Sequence, residues 1–293
     1  MSLSFQIYRI LVPKPIRTML LLRKLRNSIP AHYQSISSES YTKEQQEAVD
    51  FVVNNGVKIF PYHFTDKYNT DSIEVFTDSS VGLKYVLQDG KKLYFKRRWS
   101  EARIKKSFHD LSLEQDLQSP HRYLTDIFNL NENDVLADFG AAEGNFSLAV
   151  IEKVKKIYLF ESDNEWIEAL QNTFAPWIDK VEIVPKFVSD KNDQKNCSGD
   201  VFFKDREISF MKIDVDGGER PLLKGFSQLI RDRKQMKIAL CTYHQHDDES
   251  EFTALLTKNG FNVHPSNGYM IFYYDKKLKA PYLRRALIRA EKK

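Results

Sequence analysis

Residues 135–144 read VLADFGAAEG, and the fold turns on how this stretch is understood. Val135, Leu136 and Ala137 form an apolar run of the kind that fills a buried strand. The chain then turns through Asp138, Phe139 and Gly140, and Gly144 opens a segment of helical character over 145–153. A strand, a tight glycine turn and a helix make the ligand-binding corner of a doubly wound α/β sheet. A dinucleotide corner needs G-x-G-x-x-G, so that bare backbone can approach a pyrophosphate. Here the spacing is G-x-x-x-G, and Asp138 and Glu143 lie in or beside the turn. Carboxylates there repel a pyrophosphate and suit a ligand with positive groups, such as an ammonium or a sulfonium.

Working outward, residues 156–160 (KIYLF) read as a second buried strand ending in Glu161-Ser162-Asp163. Glu161 stands 23 positions after Asp138. An acidic residue about 20 positions on, at the end of the second strand, accepts hydrogen bonds from ribose hydroxyls. Ser162 or Asp163 is free to cap the following helix. Further on, SFMKIDVDGGE (209–219) is a third strand-to-turn transition, and it gathers Asp214, Asp216 and Glu219 at one strand end.

Together DFGAAEG, FES and FMKIDVDGGERPLLKGF resemble the S-adenosylmethionine-dependent methyltransferases of the FkbM type. That family shows D-x-G-x-x-x-G, an F-E at the second strand end, and K-I-D-V-E-G-x-E followed by L-x-G. The resemblance covers about residues 119–275. Asp216 stands where the family has Glu, Gly218 where it has Ala, and Ala142-Glu143 where Asn and an apolar residue are common. The resemblance implies a Rossmann-like class I methyltransferase fold with a mostly parallel seven-stranded sheet. Its strands are expected at 135–140, 156–161, 181–188, 209–215, 237–243, 261–264 and 269–274, the last two as a terminal antiparallel hairpin around Asn267-Gly268. It also implies S-adenosylmethionine as cofactor, held by Asp138, Gly140, Ala141, Glu143, Gly144, Glu161 and Asp214. His121, in the segment entering the first strand, is expected near the amino-acid end, and Ser189 and Asp190 near the adenine. The implied acceptor is a small-molecule or glycan hydroxyl.

Length and composition fit this reading. The chain has 293 residues, 42% hydrophobic and 13% aromatic, enough for a substantial core. Cys197 and Cys241 offer neither a disulfide framework nor metal-ligand spacing, which suits a reducing cytosol. No apolar run is long enough to span a membrane, and Pro13, Lys14, Pro15 and Arg17 interrupt any signal-like stretch. The net charge of +4 is uneven: residues 1–27 carry six bases and no acid, and residues 276–293 carry eight bases against Glu291. Residues 1–110 read as an N-terminal extension, 111–275 as the cofactor domain and 276–293 as a basic tail. The extension holds an amphipathic helix over 16–27, a helix capped by Thr42, and three short β-prone runs with a hairpin at Asp89-Gly90. The basic helix suits either an anionic membrane surface, reached from the cytoplasmic side, or packing on protein. Nucleic acid is disfavoured because aromatics do not interleave with the bases.

The chemistry needs an acceptor atom held in line with the activated methyl and a group to take a hydroxyl's proton. His244, just past the fifth strand, is the candidate base, and Asp214, Asp216 and Glu219 are its rivals. Asp214, Asp216, His244 and His246 also have the donor chemistry for a divalent ion, but strand-end acids and histidines serve more often as hydrogen-bonding groups, so no metal is expected. The competing classes are a nicotinamide oxidoreductase, opposed by the missing G-x-G-x-x-G, and a non-catalytic protein that keeps the fold.

Overall fold

The computed structural model describes residues 13–292, so residues 1–12, including Arg9, and Lys293 lie outside it. Two helices come first, α1 (Lys14–Gln34) and α2 (Lys43–Asn55). Thr42 caps α2 as its sequence predicts: Gln45 N–H donates to Thr42 Oγ1, and the Gln45 side chain accepts from Thr42 N–H at 2.8 Å. A three-stranded antiparallel sheet follows: β1 (Phe76–Asp78), β2 (Leu83–Gln88) and β3 (Lys91–Tyr94). Asp89 (φ 50°) and Gly90 (φ 77°) turn the β2–β3 hairpin, the pair of positive φ values that a two-residue primed turn requires. This element packs on the helices beside the glycine turn, with Tyr94 N–H donating to Thr173 Oγ1 and Gln88 Nε2 to Asn145 O.

The main sheet is built from the rest. In chain order come α3 (Glu101–Gln115), β4 (Val135–Phe139), α4 (Asn145–Val150), β5 (Lys156–Phe160), α5 (Asn164–Thr173) and β6 (Val181–Val184). A small parallel pair, β7 (Phe187–Val188) and β8 (Asn196–Cys197), leads into α6 (Gly199–Phe202). Then come β9 (Phe210–Ile213), α7 (Glu219–Gly225), α8 (Ser227–Asp232), β10 (Met236–Cys241), α9 (Asp248–Lys258), β11 (Asn262–Pro265) and β12 (Leu287–Lys292). The seven strands lie in the order β11-β12-β10-β9-β4-β5-β6. Six run in the same sense, and β12 runs antiparallel between β10 and β11. This is the α/β, Rossmann-like methyltransferase sheet that the resemblance implied.

Strand alternation builds the two core layers. Leu136, Ile157, Leu159, Phe210 and Leu287 belong to the apolar cluster on one face. Val135, Ala137, Phe139, Phe160, Met211, Ile213 and Ile288 belong to the cluster on the other. Both faces are covered, so β4 and β9 are buried along their whole length and read as continuous apolar runs.

Two expectations are corrected. The final strand is not 269–274, where the structure has only an isolated bridge between Met270 and Arg284. It is β12, drawn from the supposed basic tail. Its neighbouring bases do not stay solvated: Arg284 donates to the Tyr243 and His244 carbonyls, Arg285 pairs with Glu44, Arg289 donates to the Arg122 and Tyr123 carbonyls, and Lys292 to the Ile230 and Arg231 carbonyls. The expected strand 181–188 stops at Val184, because Phe187 and Val188 pair with Asn196 and Cys197 instead.

Candidate active site

The glycine turn is locked from below. Asp138, at the end of β4, points into the core, where Lys212 of β9 meets its Oδ1 at 2.9 Å and Ser147 Oγ donates to its Oδ2 at 2.7 Å. Lys212 Nζ also donates to the Gly140 carbonyl at 2.8 Å. Burial opposes the Lys212 charge, but Asp138 and Asp214 outweigh it and hold its pKa above the usual lysine value. Asp138 therefore shapes the turn from beneath, and its side chain is not free to touch a ligand. Gly140 sits at φ 73°, and a Cβ there would lie 2.0 Å from the Asp214 carbonyl oxygen. Gly144 sits at φ 77°, tight against Leu170 and Phe174.

Glu161 is where the sequence placed it, at the end of β5 against the turn. Its Oε2 accepts from Ala142 N–H at 3.0 Å, and its Oε1 accepts from Ser162 and Asp163 N–H at 2.7 and 2.8 Å. Three backbone donors fix this half-buried carboxylate and leave it lone pairs to offer. Glu143 turns the other way and accepts from Ser107 Oγ of α3 at 2.9 Å, and burial raises its pKa.

The second group of residues assembles past the ends of β9 and β10. Asp214 is its centre. Tyr123 and Tyr243 hydroxyls each donate to it at 3.0 Å, His121 Nε2 lies at 3.6 Å and His244 Nε2 at 3.7 Å. Burial pushes the Asp214 pKa up, but His121, Lys212 and His244 overcome it and bring it down to about 2. His121 is itself buried, with Cys241 Sγ at 3.5 Å, and burial lowers its pKa to about 4. It packs beneath Asp214. His244 faces Asp216 Oδ1 at 3.7 Å and Glu219 Oε1 at 3.1 Å. Burial works against its charge, yet these carboxylates and Asp214 raise its pKa to about 10. An imidazole that stays protonated at neutral pH has no lone pair to accept a proton. The general-base role that the sequence suggested for His244 does not fit this surrounding.

Ser189 and Asp190 follow β7 directly. The Ser189 hydroxyl donates to Asn196, Asp190 pairs with Lys224 at 2.5 Å, and the Ser189 carbonyl lies against Gly225. These contacts tie the pair to α7. His246 is exposed.

A cavity of about 520 Å³ opens beside Tyr243 and His121. Phe60, Tyr68, Met270, Phe272, Tyr273 and Tyr274 supply most of its apolar wall. Lys58, Asp110 and Glu114 supply its polar groups. Burial, then Asp214, Glu143 and Asp110, push the Glu114 pKa well above the usual carboxylate value. Sequence reasoning missed Lys212, Tyr123, Tyr243 and Glu114. Only Lys212 left a signal, a charge in the middle of an apolar strand, which has to find a partner when buried.

Residues 198–263 match the family model described as Methyltransferase FkbM domain. The match spans β9, the turn with Asp214, Asp216 and Glu219, and His244. A search of curated proteins finds no significant match to the sequence. Among solved structures, a methyltransferase FkbM from Methylobacillus flagellatus KT is 16% identical with a TM-score of 0.45, over 65% of this chain and 54% of that one. The chain thus spans just over half the length of that protein. A methyltransferase from Streptococcus mutans solved with SAH is 16% identical, with a TM-score of 0.39, over 56% of this chain and 91% of that one. A SAM-dependent methyltransferase from Aquifex aeolicus is 15% identical with the same TM-score, over 67% of this chain and 98% of that one. These likenesses are too distant to carry an argument about ligands. The domain match falls on the third motif of the sequence, and over residues 198–263 the chain is similar to the FkbM methyltransferase domain, carried on a seven-stranded sheet of Rossmann-like order.

Proposed function

We propose that the chain transfers a methyl group from S-adenosylmethionine to a hydroxyl of a sugar or glycan. The observation that carries the cofactor is Glu161, a carboxylate fixed by three backbone donors at the lip of the glycine turn. That is where a ribose diol is recognised in a nucleotide-binding βαβ unit. Asp214 at the strand ends, its pKa brought down to about 2, favours a cationic sulfonium over a pyrophosphate. The aromatic-walled cavity beside Tyr243 is the acceptor side of this reading. Its wall suits the C–H faces of a sugar ring, and Lys58, Asp110 and Glu114 suit its hydroxyls. A methyl sulfonium is already activated, so catalysis rests mainly on holding the acceptor oxygen in line with the S–CH3 bond.

Calorimetry tests the cofactor. The chain is expected to bind S-adenosylmethionine or S-adenosylhomocysteine and to show no comparable heat with NAD. Glu161→Ala is expected to weaken binding by about 1.5–3 kcal/mol, roughly 10- to 150-fold, because the lost acceptor is charged. Unchanged affinity in that variant removes Glu161 from the site. Labelled S-adenosylmethionine incubated with glycans and lipid-linked sugars tests the acceptor class, and label appearing only in other material refutes it.

The reading extends to where the enzyme works. Leu25, Ile29 and Tyr33 of α1 pack against α2, but the first half of the helix leaves Ile16, Met19, Leu20 and Leu21 exposed beside Arg23 and Lys24. Among the described residues no helix is long and apolar enough to cross a membrane. An exposed apolar stripe next to bases suits the surface of an anionic bilayer, here the inner face. The chain should co-sediment with phosphatidylserine-containing vesicles, less so as salt rises. Reversing Arg23 and Lys24 to Glu is expected to cost at least about 2 kcal/mol, roughly 30-fold, at about 1 kcal/mol per base. Equal sedimentation of the two proteins would place this helix on a protein partner instead.

A further inference from the structure

We propose that Glu114 sets the specificity of the aromatic cavity: it binds a hydroxyl of an uncharged ring, and the cavity disfavours the same ring when it carries a charge. The inference rests on the sugar-hydroxyl reading and deepens it, by naming the class of ring and the residue that selects it.

Most polar side chains on the cavity wall already have partners within the fold. Lys58 Nζ donates to Asp66 Oδ1 at 2.8 Å and to Thr65 Oγ1 at 3.0 Å. Lys106 Nζ donates to Asp110 Oδ2 at 2.7 Å. The Tyr68 hydroxyl donates to Asp116 at 2.6 Å, and the Tyr243 hydroxyl to Asp214 at 3.0 Å. Glu114 differs from these. It is half-buried on the wall, and among the described residues none gives its carboxyl a hydrogen bond or an ion pair. A polar group on an apolar wall with no partner in the fold is placed to take one from a ligand.

Helix α3 brings it there. Ser107 of this helix holds Glu143 beside the glycine turn, and Glu114 lies about two turns further along the same face. It shares the cavity wall with His121 and Tyr243, and both of those reach Asp214. Lys212 is committed to Asp138, and each wall lysine to its own carboxylate. Burial, then Asp214, Glu143 and Asp110, outweigh Lys212 and keep Glu114 in its neutral form. A neutral carboxyl donates one hydrogen bond and accepts others, which is the complement of a hydroxyl.

The same census explains why a charged ring is disfavoured. The lysines and aspartates of the wall neutralise one another in pairs. A carboxylate on the ring would meet no unpaired cation among the described residues of the wall. An ammonium can claim Glu114 only by displacing its proton, against the surroundings that hold it. Either charge loses its hydration in an aromatic cavity without a counter-ion in exchange. An uncharged ring loses little, because its C–H faces pack on Phe60, Phe272 and Tyr273.

The test uses the full chain without cofactor and follows binding by saturation-transfer nuclear magnetic resonance at neutral pH. The probes are the methyl glycosides of glucose, galactose and mannose, each in three forms that differ only at the sixth carbon: hydroxymethyl, carboxylate and aminomethyl. At least one hydroxymethyl form is expected to bind, at least about 10-fold more tightly than its two charged counterparts. Glu114→Gln is expected to stay within about 3-fold of the wild type, because an amide also donates and accepts. Glu114→Leu, which keeps the size and removes both capacities, is expected to weaken binding at least about 5-fold. No binding of any hydroxymethyl form up to about 10 mM overturns the proposal. So does a charged form that binds as well as its neutral counterpart, or a Gln variant as weak as the Leu variant. Because no S-adenosylmethionine is present, failure here is distinguishable from failure of the methyl-transfer reading, which calorimetry with the cofactor tests.

Discussion

Lys212→Met is expected to destabilise the chain by about 3–5 kcal/mol, because it strands the Asp138 carboxylate in the core without a partner. Met matches the lysine stem in length, so packing is largely kept and the charge is what changes. Asp138 would retain only the Ser147 hydroxyl, a neutral donor. Urea unfolding read by tryptophan fluorescence measures the loss. The double variant Lys212→Met/Asp138→Asn should recover much of it, since the uncompensated charge is then gone. A loss below about 1 kcal/mol in the single variant would mean that water reaches Asp138 and that the pair is not a buried one. The consequence for function is separate from stability. Lys212 also holds the Gly140 carbonyl, so the folded fraction of the single variant should bind cofactor more weakly than the wild type.

Gly140→Ala is expected to abolish cofactor binding, with a loss beyond about 100-fold, and to destabilise the chain by several kcal/mol. Two costs add. The positive φ alone costs about 1–2 kcal/mol for a residue with a Cβ. The contact is worse: the new atom would lie 2.0 Å from a backbone oxygen, and backbone cannot swing aside as a side chain can. Either β4 and β9 part at the turn or the turn changes shape, and both displace the groups around Ala142 and Glu161. Gly90→Ala separates the two costs. Gly90 has φ 77°, but nothing lies within 4 Å of the place its added methyl would take. Only the conformational cost of about 1 kcal/mol is therefore expected there, with cofactor binding unchanged. Equal behaviour of the two variants would show that the close approach at Gly140 does not matter. Calorimetry with S-adenosylhomocysteine and thermal melting give both readouts.

Local pattern alone determined much of this protein. The apolar runs at β4, β5, β9 and β10, the glycine turn at Gly140 and Gly144, and the carboxylate at Glu161 were legible because each depends on residues adjacent in the chain. Hydrophobic periodicity, positive φ and a strand-end acid are short-range properties. The primed turn at Asp89-Gly90 and the Thr42 cap were legible for the same reason.

What the tertiary structure decided are the properties that depend on distant partners. β12 looked like a charged tail because Arg284, Arg285 and Arg289 are basic in isolation. It became an inner strand because folding supplies each of those guanidiniums with carbonyl or carboxylate acceptors far away in sequence. Asp138 looked like a ligand group and is instead neutralised by Lys212, 74 positions later, which only strand pairing brings alongside. His244 looked like a base because an isolated imidazole titrates near neutrality. Its surroundings, three carboxylates carried on the neighbouring turn, hold it in the charged form. Charge in a folded chain takes its meaning from burial and partners, and neither is written locally in the sequence.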